Sequence, residues 1–181
     1  PGQAPLMARI MITGGTGSFG RAMARHRIQN ESHEVVIYSR DELKQHNMLQ
    51  QYDDQERQRL HMFIGDVRDM QRLRRACNSV DIVLHAAALK RIETGHYNPN
   101  EMVKTNVQGT MNVVEAAQDC GVRKVVGLSS DKAHQPASAY GHSKAMMECI
   151  LLAAHNTRGH GGPIYSVSSY GNVAGSNGSV I

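Results

Sequence analysis

Tryptophan is absent, and six tyrosines and two phenylalanines are the only benzene-type rings in the 181 residues. So few rings, not interleaved with basic residues, give nucleic-acid bases nothing to stack on. No block of one charge exists either: 20 Lys and Arg stand against 16 Asp and Glu, scattered, for a net +4. That balance argues against a nucleic-acid partner and suits a small phosphate-bearing molecule. The three cysteines, Cys77, Cys120 and Cys149, lie far apart with no CxxC spacing. This excludes a disulfide or zinc framework and suggests reduced thiols in the cytoplasm, with no metal site. There is no apolar run of membrane-spanning length, and Pro1 to Ala8 lacks the parts of a secretory signal. That segment reads as a short disordered lead or an expression remnant, leaving residues 9–181 as one domain.

Short β-branched runs alternate with longer segments of helical period, the pattern of βαβ units and a doubly wound parallel sheet. The expected strands are Arg9 to Thr13, Glu34 to Tyr38, His61 to Ile64, Ile82 to His85, Lys124 to Ser129 and Ile164 to Ser168. Val103, Val107, Thr110, Val114 and Ala117 recur at steps of three or four, predicting one buried helix face that ends near Cys120-Gly121. Another helix is predicted from about Ala139 to His155.

Directly after the first strand stands Gly14-Gly15-Thr16-Gly17-Ser18-Phe19-Gly20. In that position the first glycine allows a tight turn, the second a close approach to a pyrophosphate, and the third close packing of the following helix, whose N-terminus faces the anion. The spacing predicts a dinucleotide-binding α/β domain, the Rossmann fold, in three layers. The second strand runs into Tyr38-Ser39-Arg40 where an NAD site usually ends in an acid. Ser39 and Arg40, with Lys44 nearby, suit a 2′-phosphate and so NADP, while Asp41 keeps NAD open. Gly65-Asp66-Val67 follows the third strand, where Asp66 either addresses the adenine or caps a turn. Ala86, Ala87 and Ala88 follow the fourth, small enough to pass beneath a cofactor or simply to pack tightly.

Tyr140 and Lys144 lie four apart on the predicted helix and project from one face. An ammonium there would stabilise an ionised phenol, which could take a hydroxyl proton as hydride leaves the carbon. Ser129 or Ser130 could bond the same oxygen. The run Ser130-Asp131-Lys132-Ala133 adds an acid and an amine that plain alcohol oxidation does not need. It is either an acid and a base for further chemistry or a surface ion pair.

Taken together, Ile12 to Gly20, Tyr38-Ser39-Arg40-Asp41-Glu42, Gly65 to Asp69, His85-Ala86-Ala87-Ala88-Leu89-Lys90, Thr105-Asn106-Val107, Ser130 to Ala133, Tyr140-Gly141-x-x-Lys144 and Tyr170-Gly171-Asn172-Val173 resemble the soluble UDP-N-acetylglucosamine 4,6-dehydratases, extended short-chain dehydrogenase/reductases of polysaccharide biosynthesis. Some relatives with this signature are epimerases. The resemblance implies that Tyr140, supported by Lys144, takes the C4 hydroxyl proton of a UDP-N-acetylhexosamine while NADP takes hydride. Lys132 then removes the C5 proton, Asp131 assists loss of water from C6, and hydride returns to C6. It also implies that Lys90 bonds substrate or cofactor, that Asn106 supports the network, and that Tyr170, Gly171, Asn172 and Val173 border the cofactor, with Ser130 and Asn172 also at the substrate.

Relatives carry Thr where Ser130 stands and Arg where Ser169 stands. The family also continues beyond Ile181 into a region that closes over the UDP-sugar. Two readings follow, an enzyme on UDP-N-acetylglucosamine and a shortened NADP-binding module with an idle site; whether the gene reads on past Ile181 separates them. By analogy a homo-oligomer pairs through the two helices named above.

Overall fold

The computed structural model describes residues 7–172. The lead up to Leu6, and Val173 with everything after it, lie outside that range. Within it, β1 (Arg9–Thr13), β2 (Glu34–Ser39), β3 (Leu60–Ile64), β4 (Ile82–His85), β5 (Lys124–Leu128) and β6 (Ile164–Ser168) form one parallel sheet in the order β3-β2-β1-β4-β5-β6. All six expected strands are present, with ends shifted by at most a residue. Ala8, assigned above to the lead, is instead buried: its N–H donates to His33 Nδ1 and its carbonyl accepts from Glu34 N.

Strands buried on both faces carry apolar residues at successive positions rather than alternately. β1 shows why, since Ile10 and Ile12 enter one cluster and Met11 the other; β2 divides Val35 and Ile37 from Val36 and Tyr38 in the same way. Helices α1 (Ser18–Gln29) and α2 (Glu42–Leu49) cover one cluster with Ala24, Ile28 and Met48. After the single turn α3 (Asp54–Arg57), α4 (Met70–Cys77), α7 (Gly109–Asp119) and α8 (Ala139–Thr157) cover the other with Leu73, Val113, Met147 and Leu151. Each such side chain taken from water contributes roughly 1.5–3 kcal/mol. α8 packs closely on β5 at Gly127, where a Cβ would meet the Leu151 side chain.

The helix expected around Val103 differs from its prediction. After α5 (Ile92–Tyr97) comes α6 (Pro99–Met102), then a wide π turn, Val103–Gln108, and then α7. The extra residue in the wide turn rotates the face. Val103 is therefore 53% exposed, and the buried positions are Met102, Thr105, Asn106, Gly109, Thr110, Val113, Ala116 and Ala117. β1 leads to β2 on one side and neighbours β4 on the other, so a crevice opens at the carboxyl ends of these strands, where α/β sheets hold ligands.

Candidate active site

At that crevice the glycine loop is held by contacts that tolerate no side chain. Gly14 has φ +67°, its N–H donates to Tyr38 O, and a Cβ on it would lie 2.9 Å from Ala87 Cα and 3.1 Å from Ala86 C. Gly17 N–H donates to Gly14 O, turning the chain into α1, which begins at Ser18; Phe19 packs on the core below. Gly20 brings α1 against the loop, since a Cβ there would meet Gly15 O at 2.4 Å.

A groove of about 480 Å³ follows, lined by Gly14, Thr16, Ser39, Arg40, Lys44, Asp66, Val67, Ala87 and Ala88 of the expected set, together with Thr105. The expected cations face it with partners already in place: Arg40 lies 3.7 Å from Asp66 and Lys44 lies 3.1 Å from Asp41. Asp41 caps α2 by accepting from Lys44 N, and hydrogen bonds from Lys44 hold its carboxyl low. Asp66 acts as a turn residue, accepting from Arg68 N, Nε and Nη2. Burial alone would raise the Asp66 carboxyl, but the bonds from Arg68 outweigh it and hold the group below its ordinary range.

Two hydroxyls at this crevice are buried without a partner among the described residues, Thr105 Oγ1 and Ser129 Oγ. A buried polar atom left unpaired costs about 1–3 kcal/mol. With Thr105 lining the groove, and with a loop whose glycines leave room for a pyrophosphate, the residues present fit a dinucleotide.

Beneath the groove runs a buried chain of hydrogen bonds absent from the sequence reading. Thr13 Oγ1 accepts from Ala86 N and Ala87 N, both at 3.2 Å, so its own hydrogen goes to His85 Nδ1 at 2.7 Å. His85 Nε2 then donates to Thr110 Oγ1 at 3.0 Å, and Thr110 donates to Asn106 O at 2.6 Å. Burial, with the Lys144 charge adding to it, pushes His85 down to about 3, so the ring is neutral. Asn106, on the π turn, exchanges two hydrogen bonds with the Leu89 backbone at 2.8 and 2.9 Å and donates to Ser143 Oγ at 2.9 Å. It thus ties the loop after β4 to α8. Lys90, next in that loop, is exposed.

Beyond β5 the side chains gather. Ser129 N donates to Ser168 O and Asp131 N donates to Tyr170 O, fastening the turn Asp131–Ala133 to the end of β6. Ser130 Oγ donates to Asp131 Oδ1 at 2.9 Å, and Lys132 Nζ donates to Asp131 Oδ1 at 3.0 Å and to Asn172 Oδ1 at 3.1 Å. Bonds from Lys132 and Ser130 keep the Asp131 carboxyl below its usual range. Gly171 passes close by, its Cβ position 3.8 Å from Asp131 Oδ2. α8 reaches this turn because its first-turn residue is Gly141, where a Cβ would lie 2.4 Å from Lys132 O. Ser138 caps the helix on Gly141 N. Ser130, Asp131, Lys132, Asn172 and Tyr140 therefore share one corner.

Lys144 departs from the expected arrangement. Its Nζ donates to Leu128 O at 2.5 Å and approaches Met147 Sδ at 3.5 Å, not the Tyr140 phenol. A buried ammonium needs an acceptor, and the last carbonyl of β5 supplies one. Burial pushes Lys144 down to about 8. Tyr140 is raised by burial, with the Ser130 hydroxyl pulling against that and the Tyr170 and Asp131 charges adding to it, so in this state it is a phenol rather than a phenolate. From Asp131 and Lys132 a second cavity of about 490 Å³ opens toward His96, His134 and Gln135. The last of these is a non-glycine residue at φ +48°, a conformation that costs energy and tends to mark functional loops.

A protein of Campylobacter jejuni (strain 81-176) named UDP-N-acetylglucosamine 4,6-dehydratase (inverting) is 44% identical over 173 residues, 95% of this chain and 51% of the relative. A Rickettsia prowazekii protein named UDP-glucose 4-epimerase is 46% identical over 176 residues, again 95% of this chain and 51% of the relative. The chain thus spans about half the length of these curated relatives. Among solved structures, Pen from Bacillus thuringiensis superposes with a TM-score of 0.91 at 34% identity, covering 96% of this chain and 54% of that one. DesIV from Streptomyces venezuelae, a dTDP-glucose 4,6-dehydratase with NAD and TYD bound, superposes at 0.77 with 25% identity, covering 89% and 55%. The family described as polysaccharide biosynthesis protein matches residues 10–181, and the chain belongs to it.

Proposed function

We propose that the chain is the cofactor-binding and catalytic part of an NADP-dependent nucleotide-sugar 4,6-dehydratase acting on UDP-N-acetylglucosamine. The observation that carries this is the Ser130–Asp131–Lys132–Asn172 cluster beside Tyr140. Oxidation at C4 requires only a hydroxyl, a phenol and a lysine; the acid and amine have a use when water must also leave. The nicotinamide, bound in the groove, would supply the hydride acceptor and donor. Tyr140 takes the C4 hydroxyl proton, with Ser130 holding the same oxygen and Lys144, released from Leu128 O, supporting the phenolate. Lys132 takes the C5 proton that the neighbouring ketone acidifies, and Asp131 donates a proton to the departing C6 hydroxyl. Both need their neutral forms. When substrate fills the second cavity and excludes water, a proton crossing the 3.0 Å contact from Lys132 to Asp131 produces base and acid together.

For the cofactor, Ser39, Arg40 and Lys44 line the groove and the end of β2 carries no acid, while Asp41 is occupied as a helix cap. NADP fits this better than NAD. The reduced thiols and the UDP-sugar substrate fit the cytoplasm. Exposed apolar side chains on the two long helical segments, Val103, Met111, Met146 and Leu152, fit a homo-oligomer that buries them.

One observation favours a second reading. While the cluster is open, Asp131 is a carboxylate and cannot protonate a leaving hydroxyl; only redox at C4 remains, which is the chemistry of a C4 epimerase. Incubating the protein, with whatever its gene encodes beyond Ile181, with UDP-N-acetylglucosamine and NADP separates the readings by mass together with proton NMR of the sugar. A 4-keto-6-deoxy product lighter by one water supports the dehydratase. An isobaric C4 epimer alone supports the second reading, and no turnover with NADP bound supports an idle module.

A further inference from the structure

Gln45 lies in the first turn of α2 with 4% of its surface exposed. Its Nε2 lies 2.9 Å from Phe63 O, 3.1 Å from Ser39 O and 3.0 Å from Ser39 Oγ. Turning the amide over would set Oε1 against two carbonyl oxygens, so the neighbours fix the nitrogen in this place. Its two hydrogens serve three acceptors, one being shared between the carbonyl and the hydroxyl of Ser39. An amide nitrogen accepts nothing. Ser39 Oγ is therefore an acceptor on this side, and its own hydrogen has no acceptor among the described residues. Ser39 lines the groove together with Arg40 and Lys44.

We propose that Gln45 is a specificity-positioning residue: by occupying the acceptor side of Ser39 Oγ it leaves that hydroxyl as a donor into the groove, favouring a dinucleotide that carries a phosphate monoester there over one that carries a free hydroxyl. A phosphate offers only acceptors and takes the Ser39 hydrogen in a charge-assisted bond. A ribose hydroxyl finds the two carboxylates of the groove already engaged, Asp41 by Lys44 and Asp66 by Arg68, and gains less. The inference rests on the NADP reading above.

The test measures dissociation constants of NADP+ and NAD+ by calorimetry for the full chain, Gln45→Met, Ser39→Ala and the double variant, with melting curves alongside. Gln45→Met keeps the length and removes the N–H groups. It should weaken NADP+ by about tenfold and NAD+ by less than about twofold, a hydrogen bond to a charged group being the interaction lost. The double variant should be no weaker than Ser39→Ala alone, because both substitutions remove one interaction. If Gln45→Met weakens both dinucleotides alike, or if the two losses multiply, Gln45 merely braces the strand ends and the proposal is overturned. Should Gln45→Met not fold, Ser39→Ala is read in its place, and an unchanged NADP+ to NAD+ ratio overturns it equally. A parent protein that prefers NAD+ would instead remove the NADP reading itself.

Discussion

The groove over β1, β2 and β4 and the cluster beyond β5 sit on the same edge of the sheet but are built from different materials. The groove is shaped by backbone: a glycine at φ +67°, an alanine run against it, and a helix whose approach depends on Gly20. The cluster is shaped by side chains on a three-residue turn, with Lys132 and Asp131 38% and 56% exposed and paired with each other. Backbone held by close packing has one geometry, whereas an exposed ion pair is worth little and exchanges partners readily. The groove is accordingly complete as it stands, while the cluster is poised to rearrange around whatever enters the second cavity. The two lysines repeat the contrast, Lys144 buried on a strand carbonyl and Lys132 half in water.

The largest expected effect tests that division on the cluster side. Lys132→Ala should lower dehydration by about 10²–10⁴-fold, the range for a lost acid or base, while NADP+ binding and melting temperature stay where they were. Loss of cofactor affinity in that variant would mean that groove and cluster are not separable. On the groove side, Gly20→Ala drives a methyl group into the Gly15 backbone and should cost about 3 kcal/mol or more, seen in denaturant unfolding, along with cofactor binding.

This contrast also governs what can be read from the chain alone. The loop is legible because only glycine satisfies its contacts at 14 and 20, so a steric requirement is written directly as residue identity. The six strands are legible because parallel strands buried on both faces must be continuously apolar. The wide turn at Val103–Gln108 is not, since its residues have ordinary helical character and the extra residue is fixed by Asn106 reaching Leu89 and Ser143. Gln45 is equally hidden, because its meaning appears only once carbonyls from β2 and β3 converge on it. A spacing of four places Tyr140 and Lys144 on one face, but it carries no trace of the Leu128 carbonyl that competes for the amine.

Two smaller effects sharpen the comparison through pH. His85 belongs to the scaffold beneath the groove, and its pKa is about 3 in the fold against about 6.5 when unfolded. Below pH 6.5 the unfolded chain binds a proton that the folded one refuses, so the stability that the neutral ring contributes is full above pH 6.5 and is lost as the pH falls toward 3. Between pH 6.5 and 5, before most carboxylates titrate, unfolding free energy should fall by about 1.6 kcal/mol on account of His85, and His85→Gln should flatten that slope.

Lys144, on the catalytic side, gives the same sign in a higher window. Its pKa is about 8 in the fold against about 10.4 unfolded, so below pH 8 the buried ammonium costs stability, and that cost is relieved as the pH rises through 8 toward 10.4. Between pH 8 and 9.5 Lys144 should contribute about 1.5 kcal/mol, read from urea midpoints as the difference between the parent and Lys144→Met, because the buried Cys77 thiol, raised to about 12, and the buried tyrosines lower stability over the same window in both proteins. Lys144→Met should lose stability across that window, lacking the offsetting gain, and should be more stable than the parent at pH 7, even though turnover is lost. A parent that gains nothing on Lys144→Met over this interval would mean that the Leu128 carbonyl fully compensates the buried charge. Lys144 would then be as settled as the groove, with no reason to leave the strand for Tyr140.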